Sequence, residues 1–504
     1  MGWLHEILQN GRPASAAAAH VRAIVDEAAW STACQRIAAG QGTMLSLWGD
    51  ADTVHLAVLE DEAVGILTLA CPAGRFPSVG RLHPPALRLE RTIRDLYGLQ
   101  PFAGPDMRRW LDHGRWGVRQ PLGRNDGAPA NGDAYAFGLA EGPPMHQIPV
   151  GPVHAGIIEP GHFRFTASGE TVVRLEERLG YVHKGIDRLM AGAGIEQAAR
   201  LAGRVSGDST VAYAIAFAQA AEGALDLAPP LRAVWLRALM AELERIANHL
   251  GDIGAICNDA SFSLMQAHCG ILREEVLRAS DLCFGHRLMM DRVVPGGVAA
   301  DLGAQGTAAL RKLLATLKRR FPELVDLYDS TASLQQRTVA TGILRADLAR
   351  QYGAGGFVGR ASGRVFDARK VPGYAPYTAL SFDVAGREAG DVDARVWVRI
   401  EEVRQSVGLL EQILERLPSG AVRSDPALSS ADNAGEGLAL VEGFRGDVLA
   451  WVRLGPDGTV ARCHLRDPSW FQWPLLEAAI EGNIVADFPL CNKSFNCSYS
   501  GHDL

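Results

Sequence analysis

Hydrophobic and polar positions follow different periods along the first 118 residues. The stretch HVRAIVDEAAWSTACQRIAA, residues 20–39, has helical spacing, whereas GTMLSLWGDADTVHLAVLED, residues 42–61, alternates like two strands that turn at Gly49-Asp50. Residues 62–73 predict a further strand, and residues 87–116 predict a charged helix, a turn and a second short helix. The pattern therefore predicts a small α/β domain over residues 1–118.

The pattern changes after this domain. Residues 119–150 are rich in Gly, Pro, Ala and Asn, which predicts a linker. Residues 162–181 alternate like a hairpin that turns at Ser168-Gly169, and the chain is then mostly helical to about residue 350. Pro229-Pro230 opens a long helix with one apolar stripe, and short strands return from about residue 430. We predict an α+β fold in which residues 151–504 form a mainly helical domain with peripheral short strands.

Composition narrows the class of protein. The chain has 504 residues, of which 47% are hydrophobic and 21% charged, values typical of a globular protein with a large core. A net charge of −7 gives no reason to expect nucleic acid as a partner. The first residues lack the basic and apolar regions of a signal peptide, and no apolar run is long enough for a membrane span. We expect a soluble protein, or one held peripherally by a partner.

The eight cysteines form no C-x-x-C pair, which argues against a zinc ribbon, and we expect most of them to be small buried apolar residues. The last of them, Cys497, lies in the terminal stretch CNKSFNCSYSGHDL.

An ordered set of motifs carries a family resemblance. The set runs from GPVHAGIIEPGHFRF through YVHKGIDRL, GRVSGDSTVAYAIAFAQAAE, RALMAELERIANHL, QQRTVATGIL and GRASGRVFDARK to ADFPLCNKSFNCSYSG. It resembles the large subunit of membrane-bound nickel–iron hydrogenases of the formate hydrogenlyase and hydrogenase-4 type, which is related to the quinone-site subunit of respiratory complex I. LERTIRDLYGLQPF and PDMRRWL in the N-terminal domain resemble the small complex I subunit that precedes it.

The resemblance implies a metal site whose ligands are missing. The family holds nickel and iron through two C-x-x-C pairs, and at those four positions this chain has Ser206, Ser209, Ser498 and Gly501. Nickel in such a site needs soft thiolate donors, whereas a serine hydroxyl is a hard donor. We therefore expect no metal and no cofactor in this chain. The chain also stops about where family members are cut after metal insertion, so we expect no such processing; the alternative is that this sequence is a processed or truncated form.

The resemblance to complex I raises the alternative of a quinone site. The two positions that hold the quinone head group in that subunit align with Pro160 and Gly207, and neither side chain can donate a hydrogen bond. A quinone site of that kind is therefore unsupported.

Other motif residues are retained. By resemblance, Arg204 and His249 face a 4Fe–4S cluster in the partner subunit and tune its potential; the alternative is that Arg204 pairs with an acid such as Asp208 and that His249 serves helix packing. Glu159 matches a glutamate that relays protons, and its alternative role is capping or ion pairing. Asp187 aligns with an acidic magnesium ligand.

The motif GRASGRVFDARK lines the former metal pocket by resemblance. Its polar residues either bind water, an anion or a small ligand, or hold the loop by salt bridges; they are Arg360, Ser362, Asp367 and Arg369.

These inferences predict a subunit of an oxidoreductase complex that is not itself an active nickel–iron hydrogenase. The expected complex is related to complex I, lies on the cytoplasmic side of the bacterial inner membrane, and includes an iron–sulfur small subunit and antiporter-like membrane subunits. The chain would dock the iron–sulfur subunit and couple electron transfer to ion translocation. The alternatives are a quinone-reducing subunit, an active hydrogenase and a purely structural scaffold.

Overall fold

The computed structural model describes residues 2–14, 21–123, 134–138, 142, 144–155, 158–424 and 435–504. Helices and small sheets alternate along the chain, which confirms the predicted α+β class. No helix in the described ranges is long and apolar enough to cross a membrane. All eight cysteines are buried, as predicted.

The N-terminal part is built on a five-stranded sheet with the order β1-β2-β5-β4-β3. Its elements are α1 (Trp3–Asn10), β1 (Arg12–Pro13), β2 (Val21–Val25), α2 (Glu27–Ala38), β3 (Thr43–Asp50), β4 (Thr53–Glu60), β5 (Ala63–Ala70), β6 (Arg75–Pro77), α3 (Leu87–Tyr97) and β7 (Gln100–Phe102). The predicted hairpin is confirmed, but its turn is at Ala51-Asp52, two residues beyond the predicted Gly49-Asp50. Both faces of β3 and β4 are buried, so they read as nearly continuous apolar runs.

Two local predictions in this part are wrong. The helix predicted over residues 20–39 covers only α2, which Asp26 caps through the Ala29 N–H, because β2 pairs in parallel with β5. The second short helix, around residues 105–111, does not form. The carboxylate of Asp95 instead accepts hydrogen bonds from three successive backbone N–H groups, those of residues 110–112, at 2.7–3.2 Å.

The second sheet has the order β10-β9-β8 and confirms the predicted hairpin. Its strands are β8 (Met145–Val150), β9 (His162–Ser168) and β10 (Thr171–Arg178). Strand β8 falls within the predicted linker and pairs with β9 instead of forming a loop. Most of the linker before it lies outside the described residues.

The middle of the chain is helical, as predicted. Its elements are α4 (Ile186–Met190), α5 (Ile195–Ala202), α6 (Thr210–Leu225), α7 (Leu231–Asp259), α8 (Ser263–Phe284), β11 (Val293–Val294), β12 (Gly297–Val298), α9 (Ala304–Ser330), α10 (Ala332–Thr338), α11 (Ala346–Gln351), α12 (Gly356–Ala361) and α13 (Val392–Arg416). Helix α7 begins directly after Pro230, and the predicted apolar stripe on it is buried.

Three antiparallel strands and three short helices end the chain. They are β13 (Glu436–Gly443), β14 (Gly446–Leu454), β15 (Val460–Arg466), α14 (Ser469–Ala479), α15 (Phe488–Phe495) and α16 (Tyr499–Asp503). Short strands were predicted here; the helices after them carry the last motif of the sequence.

The N-terminal sheet shares its apolar core with the rest of the chain. Side chains of β3, β4 and β5 pack against Leu449 and Trp451 of β14, and one larger cluster joins α3 to β9, α12 and α14. Asp50 forms ion pairs with Arg453 at 2.5 Å and Arg462 at 3.1 Å. The two predicted domains therefore pack directly against each other.

Candidate functional site

Two loops that are distant in sequence meet at the former ligand positions. Ser206 and Ser209 flank the turn that leads into α6, and Ser498 caps α16 by accepting a hydrogen bond from the Gly501 N–H at 2.9 Å. The hydroxyl oxygens of Ser206 and Ser498 are 2.9 Å apart. The fold therefore brings together the positions that the resemblance predicted.

A buried arginine contacts both loops. Arg445, in the turn between β13 and β14, forms an ion pair with Asp208 at 2.5 Å and donates hydrogen bonds to Ser209 Oγ and the Asn496 carbonyl. Burial opposes ionisation of Asp208, but the charge and hydrogen bonds of Arg445 lower its pKa to about 2. The Arg445–Asp208 ion pair thus joins the two loops beside the former ligand positions.

The side chains present do not fit a nickel–iron centre. Three of the four positions offer hydroxyls and the fourth, Gly501, offers only backbone, and a Cβ at Gly501 would overlap the Asp467 carboxylate. That carboxylate is held by hydrogen bonds from the Tyr213 hydroxyl at 2.6 Å and the Ser469 N–H at 2.8 Å, so it cannot easily move away. Burial raises the pKa of the neighbouring Cys497 thiol well above its usual range, which keeps it protonated.

No group of three or more His, Cys, Asp or Glu side chains that could hold a metal ion occurs in the described ranges. Asp187, which aligns with a magnesium ligand, is buried on α4 without such companions.

Glu159 lies beside the same C-terminal loop. Its carboxylate accepts a hydrogen bond from the Ser500 N–H at 3.1 Å, and its side chain is exposed. This contact matches the capping role that the sequence left open beside a proton relay. Pro160 and Gly207, the aligned quinone positions, offer no side-chain donor.

Arg204 and His249 have different surroundings. Arg204 is on the surface, where its side chain is 40% exposed and forms two hydrogen bonds of 2.7 Å with Asp291, not with Asp208. His249 is fully buried and bonds through Nε2 to Glu402 at 2.7 Å, while its Nδ1 has no hydrogen-bond partner in the described part of the chain. Burial lowers the pKa of His249, which favours the neutral imidazole.

The motif GRASGRVFDARK contributes to a buried ionic network. Arg360 pairs with Glu402 at 2.7 Å and with Glu442 at 2.8 Å, and Arg369 pairs with Asp367 at 2.6 Å and with Glu242 at 2.9 Å. The fourth polar residue of the motif, Ser362, is buried and donates to the Val358 carbonyl. This arrangement corresponds to the salt-bridge alternative for the motif.

Four carboxylates share the ion pairs of this network. Arg245, Arg360 and Arg369 pair with them, and they belong to Glu242, Asp367, Glu402 and Glu442. The half-buried Arg364 adds a positive charge near Glu442. Burial, with the nearby Asp367 charge, raises the pKa of Glu442 to about 7. Glu442 is therefore the member that most readily carries a proton.

Sequence reasoning missed Arg445, Glu402 and Glu442. Glu442 had a signal, because it interrupts the apolar run LALVEGF of a strand, and a charge in a buried strand needs a partner. Arg445 follows in the turn, with no local pattern that marks its role.

Comparisons with known proteins agree with this architecture. The family model for the respiratory-chain NADH dehydrogenase 49 Kd subunit matches residues 262–434. Formate hydrogenlyase subunit 5 of Escherichia coli is 31% identical over 85% of this chain and 77% of its own length, and hydrogenase-4 component G of the same organism is 31% identical over 85% and 76%. A solved chain of the membrane-bound sulfane sulfur reductase, an archaeal respiratory membrane complex, aligns with a TM-score of 0.67 and 25% identity over 71% of this chain and 98% of that one.

The fold and these relatives define the class: the chain belongs to the family of large subunits shared by membrane-bound hydrogenases and respiratory complex I. The predicted resemblance is confirmed. Its relatives are subunits of complex I-related oxidoreductase complexes at membranes.

Proposed function

We propose that this chain is a hydrogenase-like large subunit that works without a nickel–iron centre in a membrane-bound oxidoreductase complex. One observation carries the proposal: the four ligand positions converge in space, yet they present Ser206, Ser209, Ser498 and Gly501, and Arg445 is paired between their loops. The fold keeps the site's framework while its donor set cannot hold nickel.

The partner that fits the proposal is an iron–sulfur small subunit carrying a 4Fe–4S cluster. Arg204 supports this, because its guanidinium, although paired with Asp291, is partly exposed at the surface next to the loop of Ser206. A cation near a cluster favours the reduced, more negative state and raises its potential. His249 would act less directly, since it is neutral and buried behind that surface.

The complex would also contain antiporter-like membrane subunits, with this chain bound peripherally on the cytoplasmic side of the bacterial inner membrane. Its role there is to couple electron transfer to ion translocation. The buried network supports a coupling role, because a carboxyl group whose pKa is about 7, such as Glu442, changes its charge easily when a neighbouring charge changes.

Purification of the intact complex tests the proposal. Elemental analysis should find iron from the partner and no stoichiometric nickel, and the complex should neither take up nor evolve hydrogen. Reduction of quinones that is lost on substitution near Gly207 would instead favour the quinone-reducing alternative. About one nickel per chain would overturn the proposal, and a complex without any redox-active partner would favour a structural scaffold.

A further inference from the structure

A cavity of about 300 Å³ lies between the N-terminal part and the helical domain. Helix α3 and strand β3 form one wall, and the loop before α4, α4 itself, β15 and α14 contribute the other side. The former metal positions are not among the lining residues. The volume is at the small end of the range for ligand pockets in proteins.

The walls are mostly apolar and aromatic. Trp48 stacks on His464 with ring centroids 4.7 Å apart, and Trp116 stacks on His183 at 4.6 Å. These four rings and Tyr97 line the space together with aliphatic side chains of α3. Aromatic rings held in fixed orientations favour a flat ring as the guest.

Two polar atoms of the lining residues lack a hydrogen-bond partner in the described part of the chain, the donor Trp48 Nε1 and the acceptor Asp187 Oδ1. Asp187 is 9% exposed, and its Oδ1 has no hydrogen-bond partner in the described part of the chain. A buried acceptor without a donor is costly. Two nearby cations are engaged elsewhere, and a third, Arg188, lines the cavity but is exposed to solvent. Lys184 donates to the Val205 and Ser500 carbonyls, and Arg462 pairs with Asp50.

We propose that this cavity binds a small, flat, uncharged aromatic molecule that donates one hydrogen bond to Asp187, such as a member of the indole, phenol or arylamine class. The ring would occupy the apolar space between Trp48 and Trp116, and its N–H or O–H would satisfy the orphaned carboxyl oxygen. An uncharged guest fits better than a cation because the remaining walls would desolvate a full charge. Binding would bridge α3 and α4, and thus the two parts of the chain.

A matched pair of ligands tests the hydrogen bond. Indole and benzofuran have nearly the same shape, but only indole carries an N–H donor. Titration calorimetry on the full 504-residue chain should show indole binding about tenfold more tightly than benzofuran, the effect of one satisfied buried acceptor.

Variants locate the site. Asp187→Leu should abolish the preference for indole, whereas Asp187→Asn should retain it, because the amide oxygen still accepts. Asp383→Leu, at an exposed aspartate outside the cavity lining, is the control and should bind like the wild type. Thr92→Trp, at a half-buried lining position, should fill the space and weaken both ligands at least tenfold.

Melting curves confirm that each variant folds; if Asp187→Leu does not fold, the ligand pair and Thr92→Trp decide the matter. Equal affinity of the wild type for both ligands would overturn the hydrogen bond to Asp187. No binding of either ligand at millimolar concentration, or full binding by Thr92→Trp, would overturn the site.

Discussion

The hydroxyl oxygens of Ser206 and Ser498 are 2.9 Å apart although 292 residues separate them in the chain. The contact joins the two loops that carry paired thiolates in the hydrogenases that this chain resembles. Two hydroxyls can share one hydrogen bond without a metal, so the loops remain joined when the thiolates are absent. The architecture of the site therefore persists with different chemistry.

Cysteines restored at the old ligand positions should differ in their effect on stability. Gly501→Cys should destabilise the chain by about 1–3 kcal/mol, because the new Cβ overlaps the fixed Asp467 carboxylate. Ser498→Cys should cost about 1 kcal/mol, the loss of a helix cap. Urea unfolding measures both. A Gly501→Cys chain as stable as the wild type would contradict the close packing at this position.

Arg360 should be essential to the buried network. Arg360→Met leaves Glu442 without an ion pair among the described residues and removes one of the partners of Glu402, so it should lower the free energy of unfolding by about 3–5 kcal/mol. Adding Glu442→Gln should recover part of the loss by removing that unpaired charge. Arg278→Met, at a side chain that is 76% exposed, is the control and should have no measurable effect. If Arg360→Met and Arg278→Met lowered the free energy of unfolding equally, the result would contradict a stabilising role for the network.

Stability should fall as the pH falls, in part through His464. Burial, with the nearby charges of Arg466 and His55, lowers the pKa of His464 to about 3, and the ring bonds to Ser46 at 2.8 Å. The pKa of a histidine in the unfolded chain is about 6.5, so between these values only the unfolded state is protonated there. This group should therefore remove up to about 1.4 kcal/mol of stability per pH unit on acidification through that window.

His464→Gln should reduce the slope of the unfolding free energy against pH by about one proton between pH 6 and pH 4. His5→Gln, at an exposed histidine, is the control. Urea titrations at several pH values measure both slopes, and an unchanged slope in His464→Gln would show that the ring is protonated in the folded state.

Cleavage of the chain between residues 124 and 133 should not release the N-terminal part. A protease site placed there would leave two fragments that share one apolar core and the ion pairs of Asp50 with Arg453 and Arg462. We expect the fragments to co-elute on gel filtration and to separate only in denaturant. Separate elution under native conditions would instead indicate two independent domains.

Arg204 should tune a cluster of the partner subunit. Arg204→Met removes a positive charge and leaves Asp291 unpaired, so the cluster midpoint should shift downward by tens of millivolts while the cluster stays bound. Arg278→Met makes the same change of charge at a pair on another part of the surface and is the control. Redox titration followed by paramagnetic resonance of the assembly measures the shift. An unchanged midpoint with the assembly intact would leave Arg204 with a purely structural ion pair.

Local patterns explain which elements were predictable. Helix α7 was predictable because its apolar stripe and the prolines before it lie in one continuous stretch of sequence. The hairpin of β9 and β10 was predictable because its alternating pattern and its turn are also local in sequence. Strand β2 was missed because five apolar-rich residues fit either period, and its pairing with β5 decided the outcome. The short helix predicted near residue 110 does not form, because the Asp95 carboxylate accepts hydrogen bonds from the backbone N–H groups of that segment.

The sequence alone determined the fold class, the family and the loss of the four thiolates, because each depends on residue types at positions that can be read along the chain. Only the tertiary structure decided how the two loops of the site are joined, since Arg445 and Asp208 are 237 residues apart and no local pattern connects them. It also decided that His249 is buried and bonded to Glu402. Asp187 lines a cavity, and its Oδ1 has no hydrogen-bond partner in the described part of the chain. Burial and electrostatic pairing depend on which distant segments pack together, and a single sequence does not encode that packing in any short-range period.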